Sequence, residues 1–258
     1  IKDIVGGCLL RTMASEVGVF FGHENDEKLE VFEHAGNKFV NVDTTSPAGI
    51  EKAKRLNLAS SGLPQVIISS YLQEISTVFT PDHQGRIFTL LRHPVDRAVS
   101  MLGYLGQATW EQTYDPKLAN MTVEEYAQSN MVENNWMTRF LSGQLSGEVT
   151  SEHLELAKKI LRTKTLIGLL PKIETSMERF AIYYGWELVN RPHRLKCVQR
   201  HLDGGSNQNK FSRKKVEKGS QGYSLLSWQN KFDLKLYEYA EELFEGEQAE
   251  WFKDKKLW

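Results

Sequence analysis

Four short apolar runs constrain this chain more than anything else in it: "KFVNVDT" (38–44), "PQVIISS" (64–70), "RIFTLLR" (86–92) and "KTLIGLL" (164–170). Several are nearly continuous hydrophobes. A strand with one wet face alternates apolar and polar residues, whereas a strand covered on both faces does not. Between the runs lie segments with helical spacing. "SPAGIEKAKRLNL" opens on Ser-Pro, "SEHLELAKKILR" offers Ser151 as an N-cap, and "KIETSMERFAIYYGW" carries Ile173, Met177 and Phe180 on one stripe. Strands and helices in succession predict an α/β fold, a doubly wound parallel sheet flanked by helices.

Two regions depart from that rhythm. Residues 105–145 read as an all-helical insertion after the third run, and "TVEEYAQS" within it starts on Thr122 with an acid three residues later, a capping-box pattern. Residues 190–224 are polar, glycine-containing and locally basic, which predicts a long loop. "NKFDLKLYEYAEELFEGEQ" then supplies a last helix. With no internal repeat, residues 1–258 read as one domain.

Composition removes several function classes. A chain of 258 residues, 40% hydrophobic and with a formal net charge of -1, has a core to bury and lacks the basic field of a general nucleic-acid binder. The two cysteines, Cys8 and Cys197, have no C-x-x-C spacing, so no metal or redox centre is expected; whether they pair is not readable from sequence. No apolar run reaches the length of a membrane span, and no signal-peptide pattern opens the chain. The first residue is not methionine, and "IKDIVGGCLLRTMASEVG" has the pattern of a helix already under way, so sequence upstream of it is expected. "NMT" at Asn120 is a glycosylation acceptor if the chain traverses the secretory pathway.

The chemistry concentrates in "RIFTLLRHPVDRAVSMLGYL" (86–105). Ligands of open α/β sheets bind beyond the carboxyl ends of the strands, where Arg92 stands. Pro94 suits the first turn of a helix, whose free amides and positive dipole end favour an anion. Ser100 lies about two turns in, and Arg97 would extend the same field. Guanidinium, amides and hydroxyl together would hold a phosphate. A solvated strand-to-helix junction carries the same letters, so both readings stand on spacing alone.

This segment resembles the 3′-phosphate-binding segment of sulfotransferases that use 3′-phosphoadenosine 5′-phosphosulfate (PAPS), with a strand ending in Arg, a Pro, and a Ser eight residues after the Arg. "ENNWMTRFLSG" (133–143), "TKTLIGLLPKIETSMERFAIYYGW" and "NKFDLKLYEYAEELF" resemble later elements of the Golgi-type carbohydrate sulfotransferases, including those related to the heparan sulfate 2-O enzymes. The likeness runs from about residue 38 onward. It implies a P-loop NTPase-like sulfotransferase fold, PAPS as donor without a metal, a hydroxyl acceptor on a glycan, and a Golgi lumen location with a membrane anchor in the full-length chain.

By the same resemblance Arg92 and Ser100 bind the donor's 3′-phosphate, and "FSRKKVEKGS" is a loop closing over the nucleotide, with Lys214, Lys218 and Gly219 as contacts. The family's 5′-phosphosulfate loop and the strand before it are not found, and "GGC" at 6–8 lacks the strand and lysine to replace them. Sulfuryl transfer needs a base near the acceptor hydroxyl. The matching stretch "ISSYLQEIS" has no histidine, which leaves Glu74 as candidate base and His83 as its alternative. Trp136 and Arg139 are candidates for the acceptor side. Glu74, His83 and Trp136 also have structural explanations: a helix glutamate, a turn histidine, a core tryptophan.

Two other functions stay open. A P-loop kinase would need a G-x-x-x-x-G-K-[ST] loop and Mg²⁺ ligands, and this sequence has no such loop. A noncatalytic nucleotide- or glycan-binding module would keep the 3′-phosphate pocket and lack transfer chemistry, a reading that Gln73 in place of a histidine leaves open.

Overall fold

The computed structural model describes residues 12–14, 27–34, 37–109, 113–186, 192–204 and 216–254. Its strands are β1 (Thr12–Ala14), β2 (Val31–His34), β3 (Asn37–Val40), β4 (Val66–Ile67), β5 (Ile87–Leu91) and β6 (Thr165–Leu169). The helices are α1 (Pro47–Arg55), α2 (Leu72–Ser76), α3 (Pro94–Leu105), α4 (Val123–Gln128), α5 (Trp136–Ser142), α6 (Ser151–Lys164), α7 (Ile173–Tyr184), α8 (Pro192–Gly204), α9 (Gln221–Gln229), α10 (Lys231–Glu245) and α11 (Glu247–Glu250). The architecture is α/β, with mostly parallel strands flanked by helices.

The strands form two sheets. One has the order β2-β3-β1-β4, in which β1 runs parallel to both β3 and β4 while β2 pairs antiparallel with β3. The other is the parallel pair β5-β6, in register from Ile87 opposite Thr165 to Leu91 opposite Leu169. All four apolar runs therefore hold strands. The expectation of a purely parallel sheet is corrected by the β2–β3 pairing.

Burial explains why β6 reads as a continuous hydrophobe. Leu166 faces Met177 and Phe180 of α7, while Ile167 and Leu169 face α6 and α10 on the other side. Gly168 lies so close to α7 that a Cβ there would stand 2.5 Å from the Phe180 ring. The free edge of β6 is closed by a side chain: Gln248, buried at the end of the helical region, accepts from the Ile167 amide and donates to the Thr165 carbonyl, both at 2.9 Å. Its carboxamide stands in for a neighbouring strand.

Two further expectations are corrected. Thr12–Ala14, inside the stretch read as a helix under way, is a strand, with Met13 and Ala14 fully buried. Residues 1–11 and 15–18 of that stretch, including "GGC" and Cys8, lie outside the described residues. Within the segment read as a loop, Pro192–Gly204 is helical, and Val198 on it is buried against the cluster of Phe180 and Met177. Proline at the first position and apolar residues three apart outweigh the polar composition there.

Helix starts agree closely with the sequence. Ser46 caps α1 by accepting from the Gly49 amide, and Thr122 and Glu125 form the reciprocal capping box at α4. At α6 the cap is Thr150, one residue before Ser151, with His153 completing a box.

Candidate anion site at the start of α3

Arg92 immediately follows β5, and His93 is the N-cap of α3. The cap residue makes no side-chain hydrogen bond to the helix, and Pro94 has no N–H to offer. The first amide of α3 to find an acceptor is Arg97, bonded to the His93 carbonyl at 2.9 Å. The amides of Val95 and Asp96 thus have no acceptor among the described residues. These unpaired donors carry the positive end of a twelve-residue helix.

Two side chains add to this end. The Arg92 guanidinium is half-buried, and among the described residues it has no hydrogen-bond, ion-pair or ring partner. Ser100, seven residues beyond the cap, lies on the same helical face as His93, about 10 Å along the axis. Its hydroxyl is half-buried and also unpartnered among the described residues. Ser76, Thr163, Ser176 and Ser224 all return their hydroxyls to carbonyls three or four residues back. Ser100 does not. The opposite face of α3, formed by Val95, Ala98, Val99 and Leu102, is sunk in the core.

The C-terminal helices wall this end. The His93 ring stacks over Tyr223 of α9 (centroids 6.5 Å, planes 22°) and meets Tyr237 of α10 edge-on at 5.5 Å. Burial, with the charges of Glu241 and Asp96, pushes the Tyr237 hydroxyl up to about 12. Just before α9 the chain turns at Lys218 and Gly219, both exposed. Gly219 adopts φ +91°, a conformation that only glycine takes easily, so the turn itself demands the residue. Sequence reasoning missed His93, Tyr223 and Tyr237; a His-Pro pair at the helix start was the available signal. Lys214 lies outside the described residues.

Other predicted residues are engaged elsewhere. Arg97 donates to Glu133 at 2.6 Å and lies 4.2 Å over the Trp136 ring, so it joins α3 to α5. Arg139 spends its guanidinium on Asn134, Gln144 and Gly147, bracing the chain around α5. Trp136 packs on Phe140 at 4.4 Å as well as beneath Arg97. His83 closes a four-residue turn with Thr80 through backbone and side-chain contacts and is exposed.

Glu74 is half-buried on α2, and its carboxylate has no partner among the described residues. Its helix is fixed to α5: Gln73 donates to the Leu141 carbonyl at 2.9 Å, and Tyr71 meets Phe140 edge-on at 5.5 Å. A continuous path of contacts therefore runs from α2 through α5 to α3.

The start of α5 shows the contrasting treatment of a helix end. Asp233 of α10, 1% exposed, accepts from the amides of Met137 and Thr138 and from the Thr138 hydroxyl at 2.7–2.9 Å. Asn135, held left-handed at φ 48°, is fastened by Asn230 and the Gln229 carbonyl. Burial pushes the Asp233 carboxyl up, opposed by these hydrogen bonds and by the charge of Arg97. Sequence offered a sign of this too, because Asp233 falls on the apolar stripe of α10 with Leu236, Tyr237 and Ala240.

Among the described residues no group of three or more His, Cys, Asp or Glu side chains is placed to hold a metal ion, and no helix is long and apolar enough to cross a membrane. Cys197 is disulfide-bonded; Cys8, the other cysteine of the sequence, lies outside the described residues. In comparisons with known proteins, no family model and no curated sequence matches the chain.

Proposed function

We propose that the chain is a sulfotransferase that moves a sulfuryl group from PAPS to an acceptor hydroxyl, on a carbohydrate, within a P-loop NTPase-like fold. The observation that carries the reading is the β5–α3 junction. A guanidinium and two helix-start amides stand at the carboxyl end of a parallel strand, and a hydroxyl lies two turns along the helix that follows, all without partners among the described residues. A protein that leaves such donors unsatisfied at one place has a use for an anion there. A nucleotide 3′-phosphate, doubly charged and rich in acceptors, fits that donor set. The turn at Lys218 and Gly219 precedes α9, whose Tyr223 stacks on His93, and Lys218 is the further cation assigned to the donor.

The base assigned to the transfer step is on α2, which is tied to α3 through α5. Glu74 takes the proton of the acceptor hydroxyl, whose oxygen attacks sulfur; the bond from sulfur to the 5′-phosphate oxygen breaks, and adenosine 3′,5′-bisphosphate leaves. The site of transfer lies in the lumen of the secretory pathway, a placement supported by the disulfide at Cys197.

Two measurements test this. Isothermal titration with adenosine 3′,5′-bisphosphate should give saturable binding that weakens in Arg92→Ala. Radiolabelled PAPS with mixed glycan acceptors should yield labelled product that disappears in Glu74→Gln while nucleotide binding is kept. Binding without any transfer would favour the noncatalytic reading, which Gln73 supports by spending its amide on α5. Absence of binding would remove the proposal altogether.

A further inference from the structure

We infer that Asn120 carries an N-linked glycan, an inference that rests on the secretory-pathway part of the proposed function. Asn120 is followed by Met121 and Thr122, so the acceptor triplet is complete and has no proline in the middle. The residue ends the short 3-10 turn Pro116–Ala119, where its backbone amide bonds to the Lys117 carbonyl. Its side chain is exposed, and the carboxamide has no partner among the described residues. Several other asparagines are built into the structure: Asn41, Asn134, Asn135 and Asn230 all use their side-chain amides to hold backbone or side chains.

The neighbours show that this position can carry a large polar group. Leu118 and Val123 are buried in the cluster around α3, and Met121 packs against it, so the segment is anchored on both sides of Asn120, which is exposed. Placement relative to the candidate site is equally favourable. The Asp115 amide donates to the Leu105 carbonyl, and Gly106 lies so close that a Cβ would stand 2.7 Å from the Ala119 nitrogen. The turn is thus docked on the C-terminal end of α3. The anion site is at the other end, about 18 Å away along the axis of a twelve-residue helix. A glycan on Asn120 leaves that site open. The disulfide at Cys197 is an independent mark of the same oxidising compartment.

The modification joins Nδ2 of Asn120 to the anomeric carbon of an oligosaccharide delivered on a lipid diphosphate. The anomeric C–O bond breaks, the lipid diphosphate departs with the electron pair, and the amide gives up one proton. Because Thr122 later serves as N-cap of α4, the transfer precedes folding of that helix.

The test is secretion of the full chain from eukaryotic cells behind a cleavable leader, followed by peptide N-glycosidase treatment and peptide mass spectrometry. The expected result is a mobility shift on deglycosylation, aspartate at position 120 afterwards, loss of the shift in Asn120→Gln, and its retention in Thr122→Ser, which keeps both cap and acceptor. An unmodified Asn120 peptide from the secreted, disulfide-bonded protein would overturn the inference. Adenosine 3′,5′-bisphosphate binding separates it from the reading it rests on. Equal affinity in the glycosylated protein and Asn120→Gln is expected. Binding lost only in the glycosylated form overturns the placement; a modified Asn120 with no binding in either form upholds the glycan and sinks the donor site instead.

Discussion

The starts of α3 and α5 are two helix ends in one molecule, joined by the Arg97–Glu133 pair and by Arg97 lying on Trp136, yet the protein treats them oppositely. At α5 the fold spends a buried carboxylate of its own, and Asp233 takes up three donors. At α3 no described side chain caps the helix, and Arg92 and Ser100 stay unpartnered among the described residues. The donors are of the same kind in both places. The difference is that α5 is anchored by an internal anion, whereas the start of α3 has no acceptor among the described residues, as the proposed external anion requires.

The largest effect should come from breaking the internal side. Asp233→Ala leaves two amides and a hydroxyl buried without an acceptor, and should cost roughly 3–5 kcal/mol of unfolding free energy in urea titration. A loss below about 1 kcal/mol would mean that the carboxylate is not the anchor. On the external side the signature reverses. Arg92→Ala should weaken adenosine 3′,5′-bisphosphate binding by about 1.5–3 kcal/mol while leaving ligand-free stability within about 0.5 kcal/mol of wild type.

A pH experiment sharpens the seam between the two ends. Tyr126, buried beside Glu133 and Arg97, is pushed up to about 12 chiefly by burial, and Tyr237 likewise. Unfolded tyrosine ionises near 10, so between that value and 12 the unfolded chain binds fewer protons than the native one, and stability falls as pH rises. Each tyrosine should contribute a loss of about 1.4 kcal/mol at pH 11 relative to pH 9, measured by denaturant unfolding at both. Tyr126→Phe and Tyr237→Phe should each flatten that slope. The smallest effect is expected from Ser100→Ala, which should lower nucleotide affinity by about 0.5–1.5 kcal/mol and leave the ligand-free protein as stable as before, since its hydroxyl supports no helical bond.

How far the sequence discloses all this depends on where each signal sits. Strands β4 to β6 were legible because their runs are mostly apolar on both faces, and β3 because Phe39 and Val40 open such a run, patterns local to each segment. Strand β1 was not, because three residues inside a helix-like stretch carry no period of their own, and only pairing with β3 and β4 makes them a strand. Helix α8 hid behind its polar residues. The placement of Arg92 at a strand end and of Ser100 two turns into a proline-started helix was legible in the sequence, whereas their binding of a phosphate is the proposal. Arg97 and Arg139 looked equally available, yet Glu133 lies 36 residues from Arg97, and no local pattern announces such a partner. A sequence shows a guanidinium; only the fold shows whether it is already spent.

The most direct test of the contrast is amide chemical shift on titration with adenosine 3′,5′-bisphosphate, read by ¹H–¹⁵N correlation spectroscopy. If the start of α3 takes an external anion, the amides of Val95 and Asp96 should move farthest downfield and saturate together with the Arg92 side-chain signal, while those of Met137 and Thr138, already held by Asp233, stay in place. Saturation with Val95 and Asp96 unmoved, or with the largest shifts at Met137 and Thr138, would contradict the account.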